Sequence, residues 1–273
     1  MNNTEKHLLV PTDFSGFSTQ AVHFASEFAK KHQARVTLLH IVEPPYNTVT
    51  AIDGMSKIIE ENARNRLLKV AESIDSELKT ETIVKHGRTA REILKQTDTL
   101  AADLVVMGTR GQTEYALSKS ILGSVSTEVA TSCSKPVFVI PDQDFKIDDS
   151  VVVFATSLKE RDPENFRFLK EVTEPFRVTL TPVHITPERD FQTRIRLRGF
   201  RDILREQADD PTIEISVAEH KNFIRGIAAF LKDQPVSMLV LNRYGKSTLQ
   251  KLFNTDRTNQ MLYHSEIPLL IIP

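Results

Sequence analysis

ADLVVMGTRGQTEYALSKSILGSVS, residues Ala102 to Ser126, reads as a buried strand, a glycine turn, a loop and the start of a helix. Leu104, Val105, Val106 and Met107 form an unbroken apolar run, the pattern of a central parallel strand covered on both faces. Gly108 stops the strand, and Gly111 follows at a spacing that suits a turn needing positive φ or close backbone approach. Gly123 and Ser124 then open a segment with Val125, Val129 and Ala130 at helical spacing. Backbone N–H groups at such a helix start, among small residues, suit an anion such as phosphate. A strand, a glycine loop and a helix N-terminus are the parts a mononucleotide site needs.

On either side of this stretch, strands and helices alternate. His7 to Val10 is a first strand, followed by Pro11, Thr12 and Asp13. Ser15 to Lys31 carries Ala21, Val22, Phe24, Ala25, Phe28 and Ala29 at helical spacing, with Ser15 or Ser18 as N-cap. Arg35 to Val42 (RVTLLHIV) is a second buried strand, ended by Pro44 and Pro45. A long helix is expected from about Ser56 to Leu78, with Ile59, Ala63, Leu67, Val70, Ala71, Ile74 and Leu78 on one face. Glu81 to Lys85 is a third strand, Thr89 to Thr97 a short helix, and Val137 to Ile140 a fifth strand introduced by Lys135-Pro136. This alternation predicts a parallel, doubly wound, Rossmann-like sheet.

After the polar linker Gln143 to Ser150 the pattern begins again. Val151 to Ala155 matches the first strand, and Arg177 to Ile185 matches RVTLLHIV through a shared Arg-Val-Thr-Leu. Thr212 to Val217, Ile224 to Leu231, Met238 to Leu241 and Ile267 to Pro273 match the third strand, the short helix, the fourth strand and the fifth. The chain is therefore read as two tandem copies of one α/β unit, residues 1–142 and 150–273, each with a five-stranded sheet. The copies differ at the candidate site. Asp13 has Ser157 as its counterpart, and Gly108-x-x-Gly111 becomes Asn242-Arg243-Tyr244-Gly245. Gly123-Ser124 corresponds to the region of Asn254-Thr255, so the second copy is expected to be degenerate.

The length of 273 residues accommodates two domains of ordinary size, and 40% apolar with 26% charged residues is the composition of a globular protein. A formal net charge of −1 gives no global electrostatic case for nucleic acid or an anionic membrane. Arg194, Arg196, Arg198 and Arg201 are interleaved with Ile195, Leu197 and Phe200, which reads as the solvated face of an amphipathic helix. Cys133 is the only cysteine, which excludes an intrachain disulfide and a cysteine-cluster metal site. The N-terminal stretch lacks an apolar h-region and no run approaches a membrane span, so a cytoplasmic protein is expected.

With both halves in view, the chain resembles the universal stress protein family in its tandem two-domain form, strongly over residues 5–141 and weakly over 150–273. The nucleotide-binding branch of that family carries Gly-x2-Gly-x9-Gly-[Ser/Thr] after its fourth strand. This sequence has Gly108-Thr-Arg-Gly111 and then Gly123-Ser124, with a spacer, Gln112 to Leu122, two residues longer than that motif. The resemblance implies strand order 3-2-1-4-5, with the crevice between the first and fourth strands, just past which lie Asp13 and Gly108. It implies ATP or AMP as ligand, with or without Mg²⁺. Pro11, Thr12 and Asp13 match the family's adenine and ribose contacts, and Val42 and Met107 would line the base pocket. Gly108 and Gly111 would let backbone approach phosphate, with Arg110 adding charge. Gly123, Ser124, Val125 and Ser126 would offer N–H groups and hydroxyls. It also implies an intrachain pseudo-dimer of the two domains through their fifth strands, with further association of two chains as a homodimer.

Each of these residues has a plainer reading: Asp13 as a helix cap, the glycines as turn residues, Arg110 as a solvated cation, and Val42 and Met107 as core. Two other chemistries fail on particular residues. A phosphate receiver would use Asp13, Thr109 and Lys135-Pro136 but needs an aspartate after the third strand, where His86-Gly87-Arg88 stands. A P-loop at Gly245-Lys246-Ser247 needs a glycine where Val240 stands. The sequence has no Gly-x-Ser-x-Gly elbow. His40, inside a strand, reads as a core histidine, and His86 as a more exposed one without a partner. Two functional classes follow: a stress-response regulatory module binding ATP or a related adenine nucleotide in the N-terminal domain, and an interaction protein of the same fold that binds none. Neither assigns a residue to hydrolysis.

Overall fold

The computed structural model describes residues 5–43, 53–109, 123–143, 147–232, 234–243 and 267–273. The chain divides into two compact units, Met1–Gln143 and Asp144–Ile272. The first contains β1 (His7–Pro11), α1 (Gly16–His32), β2 (Arg35–Val42), α2 (Asp53–Ala71), β3 (Thr80–His86), α3 (Thr89–Thr99), β4 (Leu104–Gly108), α4 (Ser124–Ser132) and β5 (Val137–Ile140). Its strands are all parallel, in the order β3-β2-β1-β4-β5. The second contains β6 (Ser150–Thr156), α5 (Asp162–Thr173), β7 (Val178–Thr186), α6 (Phe191–Ala208), β8 (Ser216–Glu219), α7 (Phe223–Lys232), β9 (Val236–Asn242) and β10 (Leu269–Ile272). Its parallel order is β8-β7-β6-β9-β10, the same topology again.

In the first unit the central strands β1 and β4 are buried along their whole length, as continuous apolar runs require. Ser15 is the N-cap of α1; its Oγ accepts from the Ser18 N–H at 3.2 Å. The inward face of α1 brings Phe24 and Phe28 onto Phe138 of β5, with ring centroids 5.0 and 5.4 Å apart. In the second unit Phe166 of α5 packs on Phe154 of β6 at 5.4 Å.

Three sequence expectations shift. α2 ends at Ala71 instead of reaching Leu78, and Ile59 is 45% exposed. The Ser73 hydroxyl donates to the Val70 carbonyl and Asp75 accepts from the Glu77 N–H, local bonds that compete with helix. Ile74 stays buried beyond the helix end. β8 begins at Ser216, because the Asp210 carboxylate folds Thr212 into a turn through its N–H and hydroxyl. The shared Arg-Val-Thr-Leu is not equivalent in register. Arg35 pairs with His7, five positions before Thr12, whereas Val178 pairs with Ser150, six before Thr156. Arg177 therefore sits two residues earlier than Arg35, a slip that keeps every side chain on its face. Structurally, His40 corresponds to His184.

Candidate functional site

β1 lies between β2 and β4, so the chain leaving β1 turns to one side, toward β2, and the chain leaving β4 turns to the other, toward β5, and a crevice opens at the carboxyl ends of β1 and β4. The crevice is a cleft of about 520 Å³ within the first unit, a volume typical of small-molecule sites. The chain leaves β1 through a tight turn. The Thr12 hydroxyl oxygen accepts from the Phe14 N–H at 3.1 Å and donates to Ser18 Oγ at 3.0 Å. Phe14 takes the left-handed conformation, with φ of 65°. Asp13 Oδ1 accepts from the Ser15 N–H and hydroxyl at 3.1 and 2.6 Å, which orients the serine that caps α1. Asp13 is thus one step removed from the cap while its side chain lines the cleft.

Two groups contact the Phe14 ring. Its ring lies 4.4 Å from the His40 ring, and the Arg66 guanidinium of α2 sits 4.1 Å from its centroid. His40 Nδ1 is 2.8 Å from the Thr12 carbonyl oxygen. A carbonyl only accepts, so Nδ1 carries the proton of the neutral ring. Burial pushes the His40 pKa down, and nearby Arg66 lowers it further, against the raising effects of the Thr12 carbonyl and Asp13.

On the opposite wall, Gly108 approaches α1 so closely that a Cβ there would meet the Phe17 carbonyl carbon and oxygen at 2.7 Å. Helix packing, rather than a positive φ, therefore demands this glycine. The Ser126 hydroxyl donates to the Gly108 carbonyl at 2.9 Å, and the Gly123 N–H donates to the Thr109 carbonyl at 2.7 Å. These bonds seat the start of α4 beside the end of β4. The N-cap of α4 is Gly123, which has no side chain to offer, and the first turn carries no acidic residue. By contrast α3 is closed by Glu43, whose carboxylate accepts from the Thr89 N–H and hydroxyl, contacts that hold its pKa down. Arg88 reaches across to Glu128 of α4 at 2.7 Å.

The cleft is lined by nine of the residues singled out from the sequence: Pro11, Thr12, Asp13, Met107, Gly108, Gly123, Ser124, Val125 and Ser126. Val42 is half-buried and outside the lining; Leu39 and Ile41 of β2 and Glu43 just past its end line the cleft instead. Arg110, Gly111 and the spacer Gln112 to Leu122 lie outside the described residues, as do Tyr244 to Ser247 and Asn254-Thr255. Phe14, His40, Glu43, Arg66, Arg88 and Glu128 line the cleft without having been singled out as contacts. Glu43 and Arg88 follow the ends of β2 and β3, a position that could have marked them; Arg66 lies mid-helix and carries no such signal. His86, expected to lack a partner, meets Glu60 at 3.2 Å. Among the described residues no group of three or more His, Cys, Asp or Glu side chains is arranged to hold a metal ion. No helix there is long and apolar enough to cross a membrane.

Comparison with known proteins agrees with this architecture. The model of the universal stress protein family matches residues 5–141. A universal stress protein of Methanocaldococcus jannaschii is 32% identical over 143 residues, covering 50% of this chain and 83% of the relative. A universal stress protein of Bacillus subtilis is 30% identical over 145 residues, covering 49% of this chain and 97% of the relative. Over the full length, the crystal structure of a universal stress protein from Archaeoglobus fulgidus superposes with a TM-score of 0.75 at 18% identity, covering 97% of this chain and 95% of the other.

Proposed function

The chain belongs to the universal stress protein family, and from that premise we propose that its first unit binds ATP or a related adenine nucleotide as a regulatory module. The observation that carries the reading is a convergence. Asp13, Gly108 and the start of α4 meet at one cleft of about 520 Å³, at the point where the strand order reverses. Leu39, Ile41 and Met107 offer an apolar wall for a base. Asp13 offers an acceptor for a ribose hydroxyl. The N–H groups that open α4 suit phosphate, since the helix dipole favours negative charge there. The fit rests on these residues of the chain itself, together with the resemblance of Gly108 and Gly123-Ser124 to the nucleotide-binding motif.

Native mass spectrometry of freshly purified protein, followed by calorimetric titration with ATP and AMP, tests the proposal. The expected result is bound adenine nucleotide that Gly123→Val and Asp13→Ala each abolish, with the chain still folded by circular dichroism. Absence of nucleotide, with no heat at millimolar ligand, would favour the interaction protein of the same fold.

A further inference from the structure

The second unit repeats the topology of the first, but among the described residues the side chains at the ends of its first and fourth strands differ. Register identifies the counterparts. Leu8 pairs with Leu104 in the first unit, as Val152 pairs with Met238 in the second. Along those strands Thr156 stands for Thr12 and Asn242 for Gly108. The threonine hydroxyl donates six residues ahead in each unit, to Ser18 Oγ at 3.0 Å and to Asp162 Oδ2 at 2.6 Å. Asp162 therefore occupies the place of Ser18.

Two cleft-lining residues of the first unit, one small and polar and one without a side chain, are thus replaced by a carboxylate and an amide. The new groups bond to each other. Asn242 Nδ2 donates to Asp162 Oδ1 at 2.7 Å, and Asn165 Nδ2 donates to Asn242 Oδ1 at 2.9 Å. Asp162 Oδ2 also accepts from the Ser157 and Lys159 N–H groups at 2.9 and 3.2 Å. Asp162 has no exposed surface. The Thr156 hydroxyl, the Ser157 and Lys159 N–H groups and Asn242 Nδ2 all donate to the carboxylate, the arrangement of a bound anion.

We propose that the second unit is a self-liganded copy. The Asp162 carboxylate, tied across the crevice by Asn242, takes the backbone donors of the turn between β6 and α5 that would otherwise be open to an anion. A second negative group brought there would meet the carboxylate and the Asn242 side chain where the first unit has a hydroxyl and no side chain. The turn between β6 and α5 is then held without ligand. A nucleotide, whose binding to the first unit rests on the reading above, acts on the first unit alone.

Hydrogen exchange measured by mass spectrometry on the full chain, with and without ATP, tests this alongside the stoichiometry from native mass spectrometry. The Ser157 and Lys159 amides are expected to exchange slowly without ligand and to be indifferent to ATP. Asn242→Gly should accelerate them at least about tenfold by freeing one side of the carboxylate. One ATP per chain, lost in Gly123→Val, is expected. Two ATP per chain, one that survives Gly123→Val, or protection of residues 156–162 by ATP would overturn the proposal. Should no ATP bind at all, the nucleotide reading of the first unit fails. Self-liganding is then decided by the unliganded exchange alone: slow Ser157 and Lys159 amides support it and fast ones refute it.

Discussion

His40 Nδ1 donates to the Thr12 carbonyl at 2.8 Å, and His184 Nδ1 donates to the Thr156 carbonyl at 3.0 Å. Each unit thus ties the end of its first strand to its second through the same side chain, where the backbone ladder stops. Because both units have the bond, it belongs to the fold. Its surroundings differ. Phe14 contacts His40 and Arg66 in the first unit, whereas Leu158 holds the same left-handed position in the second. The turn is common to both copies, and the aromatic wall of the cleft belongs to the first.

His7 makes stability depend on pH. It is buried, with Nε2 2.8 Å from Thr37 Oγ1 and Nδ1 3.1 Å from the Leu100 carbonyl. Burial, then Arg35, lowers its pKa, while the Leu100 carbonyl, Asp103 and Glu81 oppose the shift. A folded pKa below the unfolded value means that the unfolded chain takes up the proton first. The contribution is therefore complete above the unfolded pKa, about 6.5, and is lost as pH falls through the folded one. Asp162, whose pKa burial raises, acts in the opposite sense. The difference between the wild-type and His7→Gln profiles of urea midpoint against pH isolates the histidine. That difference should shrink as pH falls from 7.5 to 5, and a constant difference would refute the assignment.

Gly108→Ala should destabilise the first unit by about 2 kcal/mol, in the range of overpacked sites. The added Cβ meets the backbone of Phe17, which cannot rotate away as a side-chain tip could. Urea denaturation of the two proteins, followed by circular dichroism, provides the check. An unchanged midpoint would mean that α1 can withdraw from β4 at no cost.

Asp162→Ala should cost about 3 kcal/mol or more. It strands the Thr156 hydroxyl, the Ser157 and Lys159 N–H groups and the Asn242 amide, with little water to replace the carboxylate. Limited proteolysis should detect the loss in the second unit, with the first unit's resistance retained. Equal loosening of both units would contradict a local role.

The sequence alone determined the alternation of strands and helices, the duplication, and which residues follow the strands that border the crevice. These are local properties. Continuous apolar runs such as Leu104–Met107 form buried strands wherever they pack, and stops such as Gly108 end them within a residue or so. Only the tertiary structure decided that Ile41 rather than Val42 faces the cleft, that Arg66 reaches it from the middle of α2, and that Gly108 is demanded by Phe17. It also decided that Asp162 meets Asn242 across 80 residues of chain. Contacts of this kind depend on strand register and on how closely a helix approaches a sheet. No periodicity or motif records either, and a one-residue change in register would have assigned different side chains to the site.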